Sequence, residues 1–366
     1  MNITLPTIAL LASTLVACSD DSVERDFEQP SNDPVRPSAE SNLGKVDRTP
    51  PAPLPMPAAQ APSAVLVATT AGDLWLLNPV TGALIDLETS TAIDLFASPQ
   101  TPSQVLVTGW SEDGGGALLE YDVAATGLTL KGEEPLYFED TRLLYGPTPT
   151  AALGVNEGTT LFVGSEGRSV FGIGSFLVQR DDPDLDFFLL EHARKDPRIL
   201  HLRWDAGLRE VSRTPTSTPL LSCPPRLVRD APEPLIASIH ESALYVSTPA
   251  GTARSHLENA AAPDACVEDA LWLGDTDDIA VVTGPDIRIH LVSMVGAHDG
   301  ESLVMPGNLW HDPRPHRRLA YDPSRSQLWI ALSEQLEVRR RTPDGHLERE
   351  DTFEEGCDAE SVTLVW

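Results

Sequence analysis

The sequence is short of positive charge. It holds 26 Lys and Arg against 55 Asp and Glu, a formal net charge of -29. An acidic surface of this kind repels nucleic acid and anionic headgroups, so neither is an expected partner. Cysteines are few, four in all, and none has C-x-x-C or C-x-x-H spacing. That argues against a structural zinc site. The familiar catalytic motifs are missing as well. His240-Glu241-Ser242-Ala243-Leu244 has no second His for a zincin helix, and Gly109-Trp110-Ser111-Glu112-Asp113 ends in Asp where a nucleophile elbow needs Gly. No Gly-Lys-Ser/Thr phosphate loop occurs. No amphipathic stretch keeps a 3.6-residue period, so long helices are not expected.

What is present begins with a short apolar N-terminus. Ile3 to Ala17 are apolar or small apart from Thr4, Thr7, Ser13 and Thr14. A bilayer span needs roughly 20 residues, so this run suits the core of a signal peptide instead. Leu15-Val16-Ala17-Cys18 closes it and resembles the bacterial lipobox. The resemblance implies that residues 1–17 are removed and that Cys18 carries a diacylglycerol. An ordinary secretory signal cut nearby, or a wrongly chosen start codon, is the alternative. In the enteric sorting rule Asp directly after the cysteine retains a protein in the inner membrane; Ser19 stands there, which points to the outer membrane of the cell envelope. Residues 18–62 follow as a linker rich in Pro, Ser, Asp and Glu, ending in Pro50-Pro51-Ala52-Pro53-Leu54-Pro55-Met56-Pro57. Such a composition buries too little apolar area to offset the entropy of ordering. It reads as a tether.

From residue 63 to 366 the texture is all-β: short apolar runs separated by Gly, Pro, Asp, Asn and Ser. The clearest unit runs from Ala64 to Gly82. Val65 and Val67, then Leu74 and Leu76, alternate with period two, so each run is expected to bury one face. Ala71-Gly72-Asp73 and Asn78-Pro79-Val80-Thr81-Gly82 supply the turns, with Gly82 free to take positive φ. The unit resembles the repeat of quinoprotein-type, YVTN-like and WD40-like β-propellers. Looser copies pair Leu95 with Val105, Leu153 with Leu161, Leu189 with Ile199, Leu235 with Leu244, Leu271 with Ile279 and Leu319 with Leu328. Their starts fall 36 to 58 residues apart, near the ~40–50 of a propeller blade. Each pair is read as the first and second strands of a blade. The chain ends in a lone strand, Glu360 to Trp366, while Ala64 reads as a second strand. The last strand is therefore expected to complete the first blade and close the ring. The expected fold is a seven-bladed β-propeller, with six as the alternative if 181–214 is an insertion.

With Cys18 lipidated, Cys223, Cys266 and Cys357 remain, enough for one disulfide. Cys266 and Cys357 stand five residues before Leu271 and Val362, in similar segments 91 residues apart. That is about two blades, beyond the ~7 Å Cα separation a disulfide tolerates. Cys223 and Cys266 enter adjacent blades and form the better pair; three reduced thiols are the alternative.

Chemistry is harder to read. Arg314, Arg317, Arg318, Arg339 and Arg341 make one blade locally basic, either a patch for an acidic partner or a set of arginines paired with neighbouring acidic blades. Asp181-Asp182-Pro183-Asp184-Leu185-Asp186 lacks the glycine and distal Glu of an EF-hand and reads as a solvated turn. The tryptophans sit mostly at strand positions, as core. No catalytic or metal-ligating residue and no cofactor is identified. The expectation is a membrane-anchored, monomeric propeller that works by binding a protein or glycan, without an active site, like propeller lipoproteins that assist outer-membrane protein assembly. The alternatives are a metal-dependent lactonase-type hydrolase, which would bring a divalent cation, and a carbohydrate-binding surface protein.

Overall fold

The chain divides into two compact units, Met1–Pro51 and Ala52–Trp366. The computed structural model describes residues 62–366 apart from 70–71, 88–91, 98–102, 111–114, 125, 136–141, 146–152, 157–159, 164–173, 180–185, 192–197, 205–207, 217–224, 263–264, 275, 296–299, 309–316, 333–334 and 354–358. Residues 1–61, which include the signal, Cys18 and nearly all of the linker, lie outside the described residues.

The described residues are all-β: they form 27 strands in seven antiparallel sheets and no helix. The first sheet is β1 (Ala64–Thr69), β2 (Leu74–Leu77) and β3 (Leu84–Asp86), headed by the last strand, β27 (Ala359–Val365). The second is β4 (Ala92–Ala97), β5 (Gln104–Trp110), β6 (Gly116–Ala124) and β7 (Gly127–Pro135); the third is β8 (Arg142–Tyr145), β9 (Leu153–Asn156) and β10 (Thr160–Val163). The fourth is β11 (Gly174–Gln179), β12 (Asp186–Glu191), β13 (Arg198–Trp204) and β14 (Leu208–Pro215). The fifth is β15 (Arg226–Leu227), β16 (Ile236–His240), β17 (Ala243–Ser247) and β18 (Ala253–Leu257). The sixth is β19 (Cys266–Leu273), β20 (Asp278–Gly284), β21 (Asp286–Ser293) and β22 (Glu301–Asn308). The seventh is β23 (Leu319–Asp322), β24 (Gln327–Leu332), β25 (Gln335–Arg341) and β26 (Leu347–Phe353).

Successive sheets meet through their first strands. β4 touches β27 and β8, β11 touches β8 and β15, β19 touches β15 and β23, and β23 touches β27. The terminal strand pairs with β1 from Ala64–Val365 to Thr69–Ala359, as the lone C-terminal run suggested.

The apolar core is divided among the spaces between sheets. Leu66 and Ala68 of β1 pack with Leu95, Val105 and Val107 of the second sheet. Val65 and Val67 of the same strand pack with Trp329, Ala331 and Val338 of the seventh. All six residues of β1 are buried. Period-two alternation therefore serves two interfaces instead of one buried and one wet face, which corrects the one-face expectation. Similar clusters join the fifth sheet to the sixth and the sixth to the seventh.

Two details of the repeat also differ from the sequence reading. Leu153 and Leu161, Leu189 and Ile199, and the segments near Leu235 and Leu244 lie on second and third strands, not first and second. Every hairpin within a blade carries the same strand–turn–strand signal, so the pattern leaves the phase open. Cys266 is the first residue of β19, whereas β27 starts two residues after Cys357. The residues their ladders skip, Glu268 and Glu360, stand two residues after Cys266 and three after Cys357, so the two segments are offset by one residue from the expected alignment.

Candidate functional site

Three first strands share a local distortion. The ladder skips one residue at Ile93 in β4, Glu268 in β19 and Glu360 in β27. Each bulge re-aims the residue that follows. Those residues are Asp94, Asp269 and Ser361, exposed by 1%, 0% and 0%. In two of the three the carboxylate turns back on its own chain. Leu95 N–H donates to Asp94 Oδ1 at 2.9 Å, and Ala270 N–H donates to Asp269 Oδ1 at 2.8 Å.

Around these positions gathers a charged group drawn from several sheets. Arg229, just beyond β15, donates from Nε to Asp269 Oδ1 at 3.0 Å and from Nη2 to Asp269 Oδ2 at 2.6 Å. The same Nη2 reaches Leu319 O at 2.6 Å, and Leu319 N–H donates to Asp269 Oδ2 at 2.9 Å. Backbone bonds reinforce the join: Arg229 N–H to Ala270 O and Trp272 N–H to Arg229 O, each at 2.9 Å. One ion pair thereby ties the fifth, sixth and seventh sheets. Burial pulls the Arg229 guanidinium down, but Asp269, with Asp230 and Asp94 behind it, outweighs that and holds it above its ordinary value.

Arg317 precedes β23, and its carbonyl accepts Val362 N–H at 2.8 Å. Burial pushes its guanidinium down to about 10; Asp94 opposes this, Arg229 adds to it, and Asp230 and Asp269 oppose it. Asp94 lies on the second sheet, yet its charge acts on Arg229 of the fifth and Arg317 of the seventh. Asp94, Arg229 and Arg317 thus lie within electrostatic reach of one another although they stand on three different sheets. The set reaches solvent at Asp230, an exposed residue with φ 59°, and at half-buried Arg317. A non-glycine residue in the left-handed region carries local strain, which functional sites often hold.

The five arginines read from the sequence do not form one described patch. Arg314 lies outside the described residues. Arg317 and Arg318 stand before β23; Arg318 is buried and its carbonyl accepts Ala331 N–H at 2.7 Å. Arg339 and Arg341 lie on β25, two strands away. Arg339 pairs with Glu337 at 2.6 Å, and Arg341 reaches across to Asp278 of the sixth sheet at 2.5 Å. Cys266 is disulfide-bonded. Cys223 and Cys357 lie outside the described residues, as does the acidic turn at 181–185.

Asp94, Asp230, Asp269, Arg229 and Ser361 escaped the sequence reading. A faint signal existed: Glu268-Asp269 and Glu360-Ser361 align once the one-residue offset is removed. Among the described residues no group of three or more His, Cys, Asp or Glu is placed to hold a metal ion. The described side chains therefore do not fit the divalent cation of a metal-dependent lactonase, and no step below runs through one.

No known family model and no curated protein matches the sequence. Solved structures do. A protein of Bacteroides uniformis, provisionally named a 6-phosphogluconolactonase, matches with a TM-score of 0.58 at 15% identity, over 84% of this chain and 100% of its own. A similarly named protein of Bacteroides fragilis matches at 0.52 and 14%, over 85% and 99%. The periplasmic gluconolactonase of Pseudomonas aeruginosa matches at 0.53 and 13%, over 83% and 99%. These neighbours carry lactonase names, which counts against the expectation of a propeller without an active site. At such identities the likeness establishes the fold, and the chain has a propeller-type fold whose solved neighbours are 6-phosphogluconolactonase-like β-propellers.

Proposed function

We propose that the propeller is a lactonase-type hydrolase that opens a sugar lactone at the charged set between the first strands. The observation that carries this reading is the convergence of Asp94, Arg229, Asp230, Asp269 and Arg317 from four sheets on one place. Arg229 and Asp269 satisfy each other and act as a strut. Asp230, exposed and strained, takes a proton from the attacking water as its oxygen bonds the lactone carbonyl. Arg317 stabilises the negative charge that develops on the carbonyl oxygen. The ring C–O bond then breaks, and the departing alkoxide receives the proton from Asp230. The product is a hydroxy acid.

Titrating acid release by the full-length protein with δ-gluconolactone tests the reading. Acceleration over spontaneous ring opening is expected, with losses of about 10²-fold or more in Asp230→Asn and Arg317→Met. No acceleration by the folded wild type would sink it.

The surrounding architecture is also proposed. Seven blades closed by β27 are supported by the β27–β1 ladder and by the reach of Asp94 to arginines on distant sheets. Cys18 is proposed to carry the lipid and residues 18–62 to tether the enzyme in the cell envelope, facing soluble sugar derivatives. Globomycin-sensitive processing, lost in Cys18→Ser, checks that anchor.

A further inference from the structure

Ser361 breaks the rule its two counterparts follow. Asp94 and Asp269 each stand one residue past a bulge in a first strand, fully enclosed, and each caps the N–H of the next residue. Ser361 holds the same position on β27 with 0% exposure. Its side chain has a hydroxyl in place of the carboxylate that caps the next amide in the other two. Here that amide, Val362 N–H, donates instead to Arg317 O at 2.8 Å. Two observations set Ser361 apart. The Arg317 backbone lies against β27 beside it. Its Oγ is buried with no hydrogen-bond partner among the described residues.

A buried hydroxyl without a partner is costly. Here it lies beside the residue whose guanidinium belongs to the charged set, where the repeat would otherwise place a third carboxylate. An aspartate at 361 would add negative charge next to Arg317 and repel an anion. A serine offers a donor.

We propose that Ser361 Oγ and the Arg317 guanidinium together receive an oxyanion, the hydroxyl donating to one oxygen and the arginine to another. The ligand class is a carboxylate or phosphate on a sugar derivative. The proposal rests on the hydrolase reading only for its catalytic role: there the same pair takes the developing carbonyl oxyanion and then the carboxylate of the ring-opened acid.

Calorimetric titration of the full-length protein at fixed ionic strength tests it, with gluconate in one arm and inorganic phosphate in the other. Saturable binding of at least one is expected. Ser361→Ala should weaken it by about 10- to 100-fold, the usual effect of removing a hydrogen bond to a charged group. Ser361→Asp should abolish it while leaving the circular dichroism spectrum unchanged. Gluconate alone binding identifies a carboxylate site; phosphate alone identifies a phosphate site. Binding of neither anion, or equal binding by wild type and Ser361→Ala, overturns the proposal. The two readings fail separately. Lactone turnover that ignores Ser361→Ala leaves the hydrolase standing without this residue. Anion binding that depends on Ser361, in a protein that opens no lactone, keeps the receptor and removes the hydrolase.

Discussion

Arg229 of the fifth sheet and Asp269 of the sixth hold each other through two hydrogen bonds, at 3.0 and 2.6 Å, with both side chains buried. Asp269 also accepts two backbone N–H groups. Removing one partner strands a charge. Asp269→Leu alone should lower unfolding free energy in urea by about 3–5 kcal/mol. Arg229→Met with Asp269→Leu should cost clearly less than the sum of the single changes, because neither variant side chain then leaves a buried charge. Additive losses would show that the pair is not a coupled strut.

His290 gives the protein a pH-dependent term. It is fully buried on β21, between Thr283 Oγ1 at 3.1 Å and Ser302 Oγ at 2.7 Å. Burial, helped by the Arg288 charge, pushes its pKa down to about 4. In the unfolded chain it protonates near 6.5. Between these values the unfolded state binds more protons than the folded one, so stability falls as pH drops from about 6.5 to about 4. The full term is about 3 kcal/mol. Urea midpoints from pH 7 to 4 should decline in the wild type, and the decline should be shallower in His290→Gln. Parallel curves would assign the loss to other groups.

Strand content and the pairing of the C-terminal strand with the first sheet were legible because they rest on local patterns: period-two runs, Gly-bearing turns and a terminal strand without a hairpin partner. Recurring turn segments such as Thr248-Pro249-Ala250-Gly251 and Thr342-Pro343-Asp344-Gly345 carry the same kind of signal, and both close hairpins through Gly N–H to Thr carbonyl bonds. The blade phase was not legible, since Leu235 to Leu244 looks alike whether it joins strands one and two or two and three. The charged set was hidden for a different reason. Asp94, Arg229, Asp269 and Arg317 span more than 200 positions and meet only through tertiary convergence. The bulges that aim Asp94, Asp269 and Ser361 shift the count by one residue, enough to misalign the segments around Cys266 and Cys357.

The Asn78 turn offers a local test of backbone conformation. Val80 and Thr81 N–H both donate to Asn78 Oδ1, and Gly82 N–H returns to Asn78 O at 2.9 Å. Gly82 has φ 69° and open space where a Cβ would sit. The cost of Gly82→Ala is therefore conformational alone, about 1–2 kcal/mol, and Gly82→Asn should recover part of it. Gly300 differs: φ is 80°, and a Cβ there would meet Leu257 Cδ1 at 3.1 Å and Leu291 O at 3.2 Å. Gly300→Ala should cost more than Gly82→Ala in thermal unfolding, and Asn should not rescue it. Equal costs would mean that crowding at Gly300 is relieved by movement of Leu257.

Cys266 is disulfide-bonded, and Cys223 is proposed as its partner. Arg229 forms a parallel bridge with Leu271, and Arg226 Nε donates to Val267 O at 3.2 Å. Arg226 thus lies beside the start of β19, where Cys266 stands, and Cys223 is three residues earlier in the sequence. In the sequence Cys357 stands two residues before β27. Non-reducing peptide mapping should recover Cys223 linked to Cys266, closing a loop worth about 4 kcal/mol of stability in the chain-entropy model. Cys223→Ser and Cys266→Ser should then lower stability equally, and the double variant should lower it no further. A Cys266 peptide linked to Cys357 would refute the pairing.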